Sequence, residues 1–252
     1  MSNKVLAYIL IVVVLVLAAG FVIWRIKANK STGPLMEQNQ TPNSQQPAQN
    51  PEAAQQAPSS TPTPAPAASC QRDFNENTLK SAKVNIQNRQ VELDVKDFGK
   101  ITLELYDKDA PKTVENFLRL VNAGYYDCLT FHRVAKGFVI QGGDPTGTGS
   151  GGDSAFGGPF ADELNSNTSS YKAGYVKGVL AMANSGPNTN TSQFFVMLGD
   201  VELPHNYTIF GKVASGQDTV DKIGQVDIIP QMGETDGKPV KPVVIQSAKI
   251  IK

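Results

Sequence analysis

Residues 131–144, FHRVAKGFVIQGGD, bring an arginine, two phenylalanines and a glutamine onto what reads as a strand, a tight turn and a second strand. Side chains alternate along a strand, so Phe131, Arg133, Phe138 and Gln141 are candidates for one shared surface, with Gly137 reversing the chain. A fixed cation beside an apolar aromatic wall suits a substrate that carries a greasy ring next to a carbonyl, as a prolyl imide does. Taken alone, the same residues also read as a solvated strand charge and a core aromatic. A second segment is therefore needed to supply the opposite wall. Residues 179–196, VLAMANSGPNTNTSQFFV, provide it: a strand ends in a loop dense in Asn, Gly, Pro and Thr, and a new strand opens with Gln193-Phe194-Phe195. Loops held by strand ends are where binding groups tend to sit.

Other chemistries find little support. His132 and His205, with Cys70 and Cys128, show no metal-ligand spacing. Residues 147–152 fit G-x-G-x-x-G, but a phosphate site of that kind needs a following helix, and DSAFGGP follows instead. His132 alternates to the face opposite Arg133 and reads as a hydrogen-bonded structural histidine rather than a general base. Lys plus Arg and Asp plus Glu number 23 each, so the net charge is zero and gives no case for a nucleic-acid partner.

The elements that must position these residues begin near Val91. Residues 91–95 alternate, 97–99 turn and 101–106 alternate again, which predicts a β-hairpin. A helix follows over 109–124, with Pro111 in its first turn, Gly124 just past its end, and Val114, Phe117, Leu118 and Val121 on one face. Short strands are expected around 129–134, 138–141, 179–183, 193–198 and 208–213, a second helix near 217–223, and a last strand near 243–251. Many strands and few helices in a small domain suggest a closed β-barrel with helices covering its ends.

Residues 1–89 form different units. Val5 to Trp24 is an uncharged run of 20 residues, flanked by Lys4 and by Arg25, Lys27 and Lys30. A helix of that length spans about 30 Å, the thickness of a bilayer core. The apolar run continues past the weak small-residue site Ala18-Ala19-Gly20, so residues 1–30 are expected to be an uncleaved membrane anchor rather than a signal peptide. Residues 31–69 hold eight of the sixteen prolines, many Gln, Ala, Ser and Thr, and no aromatic, Val or Ile. They read as a disordered linker, with an end-to-end distance of about 35 Å if fully flexible. Tethers of this kind suit a domain held outside a bacterial cytoplasmic membrane, so a single-pass protein with an extracytoplasmic domain is expected. Residues 70–89 form an extension before the barrel. Cys70 opens it and Cys128 follows the first helix; a disulfide would staple the extension to the barrel, and two unrelated thiols are the alternative.

Together, FHRVAKGFVIQGGDPTGTGSGG at 131–152, AMANSGPNTNTSQFF at 181–195, TIFGKV at 208–213 and ENFLRLVNAGYYD at 115–127 resemble the cyclophilin family of peptidyl-prolyl cis-trans isomerases. The resemblance covers about residues 90–252, in the family's order and at nearly its spacing. It implies a mainly β fold, a closed eight-stranded antiparallel barrel capped by two α-helices. It implies isomerisation of X-Pro bonds in unfolded or flexible protein segments, by a monomer, with no cofactor and no metal. Arg133 matches the catalytic arginine. Phe138, Val139 and Phe195 match the walls of the proline pocket, and Leu203 completes it. Gln141 and Gln193 match polar side chains beside the substrate, and Ala183 and Asn184 a strand end that pairs with the bound peptide. Tyr207 stands where many members have a histidine, Glu202 where a tryptophan is common, and Val139 where a methionine is common. These departures bear on the pocket's rim rather than on the arginine. A module that grips proline-containing loops without turnover, and a chaperone-like contact surface, are the competing readings.

Overall fold

The computed structural model describes residues 70–251 apart from positions 82, 88 and 89. These belong to the unit Thr63–Lys252. The expected anchor and linker therefore lie outside the described residues. Among the described residues, no helix is long and apolar enough to cross a membrane.

The extension is held to the domain at several points. Cys70 and Cys128 are disulfide-bonded with their Cα atoms 5.5 Å apart. Phe74 meets Tyr125 edge-on at 5.2 Å, and the Arg72 guanidinium lies 4.6 Å from the Tyr125 ring. A short helix, α1 (Glu76–Ser81), follows, its first amides accepted by the Asn75 side chain and Leu79 sunk into the core.

β1 (Gln90–Val95) and β2 (Gly99–Leu105) form the expected hairpin, with Val91, Leu93, Val95, Ile101, Leu103 and Leu105 all buried. α2 (Pro111–Asn122) buries Val114, Phe117, Leu118 and Val121 as the sequence predicts. Its N-cap residue is Ala110, which has no acceptor to offer the first amides. Glu163, some fifty residues away, supplies them instead: its carboxylate accepts from Lys112 N and Thr113 N at 3.1 and 2.8 Å.

The remaining elements are β3 (Thr130–Phe131), β4 (Arg133–Ala135), β5 (Val139–Gly142), α3 (Ser169–Ala173), β6 (Val179–Met182), β7 (Phe194–Met197), β8 (Ile209–Ser215), α4 (Gln217–Ile223), β9 (Ile228–Pro230), β10 (Asp236–Pro239) and β11 (Val243–Ile250). All the strands join one antiparallel sheet in the order β3-β11-β1-β2-β8-β6-β7-β5-β4-β10-β9. The fold is mainly β, a strongly curved sheet with a few helices. α1, α3, β9 and β10 go beyond the sequence reading. β10 is DGKP and has no apolar alternation to betray it; what makes it a strand is its pairing with β4 and β9.

One expectation fails. Phe131 does not share the Arg133 surface. The strand breaks at His132, so β3 pairs with β11 while β4 pairs with β5. The break turns Phe131 inward, where its ring meets Phe194 at 6.1 Å. Phe117 anchors the same cluster, with Tyr126, Phe194 and Phe210 at 5.0, 5.6 and 5.3 Å.

Candidate active site

The four strands β4, β5, β7 and β6 are neighbours, and their register decides what shares a face. Arg133 lies opposite Gln141, Gln141 opposite Phe195, and Phe195 opposite Ala181. Two residues along, Ala135, Val139 and Met197 form a parallel rank. Directly paired residues project to the same side, so both ranks stand on one face of the sheet. The intervening residues Val134, Ile140, Val196 and Leu180 project to the other face, into the main core. Each face thus has its own apolar cluster. The second gathers Val139, Phe195, Met197 and Ile209, with Phe138, Leu203 and Tyr207 packed at its margin.

A cavity of about 660 Å³ opens on this second face. Arg133, Phe138, Val139, Gln141, Phe195 and Leu203 line it, and so do Ala183, Asn184 and Tyr207. Gln193 lines an adjoining recess with Gln141, Ala183 and Asn184. The nine positions expected on the substrate side and Arg133 are thus brought together. Phe138 sits in the turn before β5 rather than on the strand. The Tyr207 ring meets Phe195 edge-on at 5.5 Å. Its backbone is gripped at both ends by the Tyr175 hydroxyl, which donates to Tyr207 O at 2.8 Å and accepts from Tyr207 N at 3.0 Å.

The polar side of the cavity is a connected network. Arg133 Nε and Nη2 donate to the two carboxylate oxygens of Asp236 at 2.9 and 2.7 Å, and Nη1 donates to Gln141 Oε1 at 2.9 Å. Gln141 Nε2 donates to Gln193 Oε1 at 3.0 Å. Gln193 Nε2 in turn donates to the carbonyls of Gly149 and Gly151 at 3.0 and 2.7 Å. Each amide's orientation is set by its neighbour, beginning from an arginine that can only donate. Sequence reasoning missed Asp236, and no local signal would have found it, because it stands 103 residues from Arg133.

The loop that holds Gln193 is organised by Asp144, which is almost fully buried. Burial would push its carboxyl up. The backbone and hydroxyl of Thr146 and the amides of Gly151 and Gly149 outweigh that and hold it down at about 2. A side chain at Gly151 would collide with this carboxylate, so the glycines of 147–152 wrap an internal anion and no helix follows them. A carboxyl whose folded pKa is depressed contributes stability above its unfolded value near 3.8, lost as pH falls through about 2. The difference corresponds to about 2 kcal/mol. Denaturant unfolding of wild type and Asp144→Asn between pH 5 and pH 2 is expected to show that step only in wild type. Equal acid slopes in the two proteins would refute it.

His132 lies under the same loop, buried, and neither ring nitrogen is hydrogen-bonded to any of the described residues. Burial lowers its pKa; Asp144 opposes this, and Arg133 and Lys238 add to it. It is therefore neutral at physiological pH. Among the described residues it also lacks the hydrogen bond that sequence reasoning gave it.

The cyclophilin-type peptidyl-prolyl cis-trans isomerase/CLD family model matches residues 90–250, which is the whole sheet that carries this cavity. The chain belongs to the cyclophilin family. The domain is thus a cyclophilin-type peptidyl-prolyl cis-trans isomerase domain. It is 46% identical over 154 residues to an Arabidopsis thaliana peptidyl-prolyl cis-trans isomerase, covering 61% of this chain and 88% of that protein. It is also 46% identical over 157 residues to a Cryptococcus neoformans peptidyl-prolyl cis-trans isomerase-like protein, covering 62% of this chain but only 26% of that longer one. A Cryptosporidium parvum cyclophilin solved in the presence of the dipeptide Ala-Pro superposes with a TM-score of 0.58 at 36% identity, covering 65% of this chain and 99% of that one.

Proposed function

We propose that this cyclophilin domain accelerates X-Pro rotation in protein clients, with Arg133 as the catalytic cation, at the extracytoplasmic surface of a membrane. The X-Pro bond resists rotation by about 18–20 kcal/mol because the imide is conjugated. Uncatalysed exchange therefore takes tens to hundreds of seconds. Twisting the bond breaks conjugation and localises a lone pair on the prolyl nitrogen. A guanidinium aimed at that nitrogen binds the twisted state better than either planar one, which is what lowers a barrier. Phe138, Val139, Phe195 and Leu203 grip the ring, while Ala183, Asn184, Gln141 and Gln193 hold the peptide. No proton transfer is required.

The observation that carries this reading is the pairing of a rigidly bonded Arg133 with an apolar wall across one cavity. Exchange rates of a short X-Pro peptide, with and without the full chain, test it. Identical rates would end the enzyme reading and leave the binding-module and chaperone-like readings.

The anchored, extracytoplasmic setting is supported by the uncharged run from Val5 to Trp24, by the proline-rich segment 31–69, and by the Cys70–Cys128 disulfide, a bond favoured in oxidising compartments. Protease added to intact cells is expected to release the domain. A domain protected until the membrane is broken would overturn this placement. We also read β3 and β4, separated only by His132, as one bent strand bonded to β11 on one side and β5 on the other. That reading makes the sheet a closed eight-stranded ring, with β9 and β10 as an added hairpin.

A further inference from the structure

Arg133 is held by two partners, and the second of them, Asp236, is not needed to build the pocket. Its carboxylate takes the Nε–Nη2 edge of the guanidinium in two parallel bonds of 2.9 and 2.7 Å. Such fork-on-fork pairs fix geometry as well as charge. Gln141 takes one N–H of Nη1 at 2.9 Å. A guanidinium carries five N–H groups, so one N–H remains on each terminal nitrogen. With the Gln141 bond alone, the planar group would pivot about a single contact. With Asp236 as well, three of its nitrogens are tied and its plane is set.

We infer that Asp236 is a positioning residue for catalysis, fixing the plane of the Arg133 guanidinium so that its two remaining N–H groups are aimed at the prolyl imide. Three features separate this role from simple stabilisation. First, the pair is only partly buried, the side chains keeping 24% and 16% of their exposure, so it is worth less to the fold than a desolvated pair. Second, the loop before β10 is closed by the main chain of Asp236, whose carbonyl accepts from Gln231 N at 2.9 Å and Met232 N at 3.1 Å. Third, β10 is held by its strand pairs, Asp236 with Ala135 and Gly237 with Val134. The carboxylate can be changed with these backbone bonds left in place.

Asp236 also offsets the charge of Arg133, which would weaken a purely electrostatic catalyst. That cost is tolerable when the barrier falls through alignment of specific N–H groups, because misplacement by about 1 Å can cost roughly 10²-fold in rate.

The inference rests on Arg133 being the catalytic group, and the test keeps the two apart. Peptide exchange is measured for the full chain as wild type, Arg133→Ala, Asp236→Ala, Asp236→Asn and Asp236→Glu. The Nε–H resonance of Arg133 is followed in ¹⁵N-labelled protein. Asp236→Ala is expected to lower kcat about 10-fold with KM nearly unchanged. Its Nε–H signal should move and exchange faster with solvent. Asp236→Asn should lie between Ala and wild type, and Asp236→Glu should recover part of the loss. If Ala lowers the melting temperature, Asn, which is nearly isosteric, decides the question. An inactive Arg133→Ala alongside Asp236 variants of unchanged or raised kcat overturns the inference alone. Full activity in Arg133→Ala overturns it together with the proposed role of Arg133.

Discussion

Replacing Arg133 with alanine is expected to lower kcat/KM for X-Pro exchange by about 10²–10³-fold, the usual effect of removing one donor aimed at a transition state. The loss should fall on kcat, because the guanidinium meets a lone pair that exists only in the twisted imide. KM should change little, since the proline ring is gripped by Phe138, Val139, Phe195 and Leu203, which stay in place. Arg133→Lys is expected to rescue little. An ammonium keeps the charge but cannot make two parallel bonds to Asp236 and a third to Gln141 with its donors fixed in one plane. The fold should survive the alanine substitution, because Arg133 lies on the cavity face while Val134 beside it points into the core. Near-wild-type exchange in Arg133→Ala would refute the assignment; so would a loss carried wholly by KM.

The largest effect on stability is expected at Phe194. It is fully buried, and its ring meets Phe117, Tyr126 and Phe131 nearly perpendicular, at 5.6, 5.5 and 6.1 Å. Three edge-on partners and a place between α2 and the sheet leave no neighbour free to collapse into the gap. Phe194→Ala is therefore expected to cost about 3–5 kcal/mol in urea unfolding. A loss under about 1 kcal/mol would mean that the core closes around the vacancy, contrary to the packing described. Phe195, one residue on, belongs to the other face and to the cavity wall, so the two adjacent phenylalanines divide stability and binding between them.

Most of this division is legible in the sequence. The β1–β2 hairpin and α2 declare themselves because their apolar residues repeat every two or every 3.6 positions, and a buried face demands that repeat. The motifs at 131–152 and 181–195 identify the family and name most of the residues that line the cavity, Leu203 and Tyr207 lying beyond them. The same alternation misleads at Phe131, because a strand that breaks at His132 changes partner from β11 to β5, and the period restarts. Nothing local announces that break.

Sequence by itself therefore determines the fold class, the family and the residues available for chemistry, because short-range periodicity and motif order are properties of the chain. What only the tertiary structure decides is which groups constrain one another. The Glu163 carboxylate caps α2 from 50 residues away, Asp144 gathers a glycine loop under Gln193, and Asp236 clasps Arg133 across 103 residues. Such contacts leave no periodic trace, because each depends on two distant backbone segments arriving at hydrogen-bond distance. For the same reason β10, a strand without a strand's composition, exists only once β4 is there to pair with it.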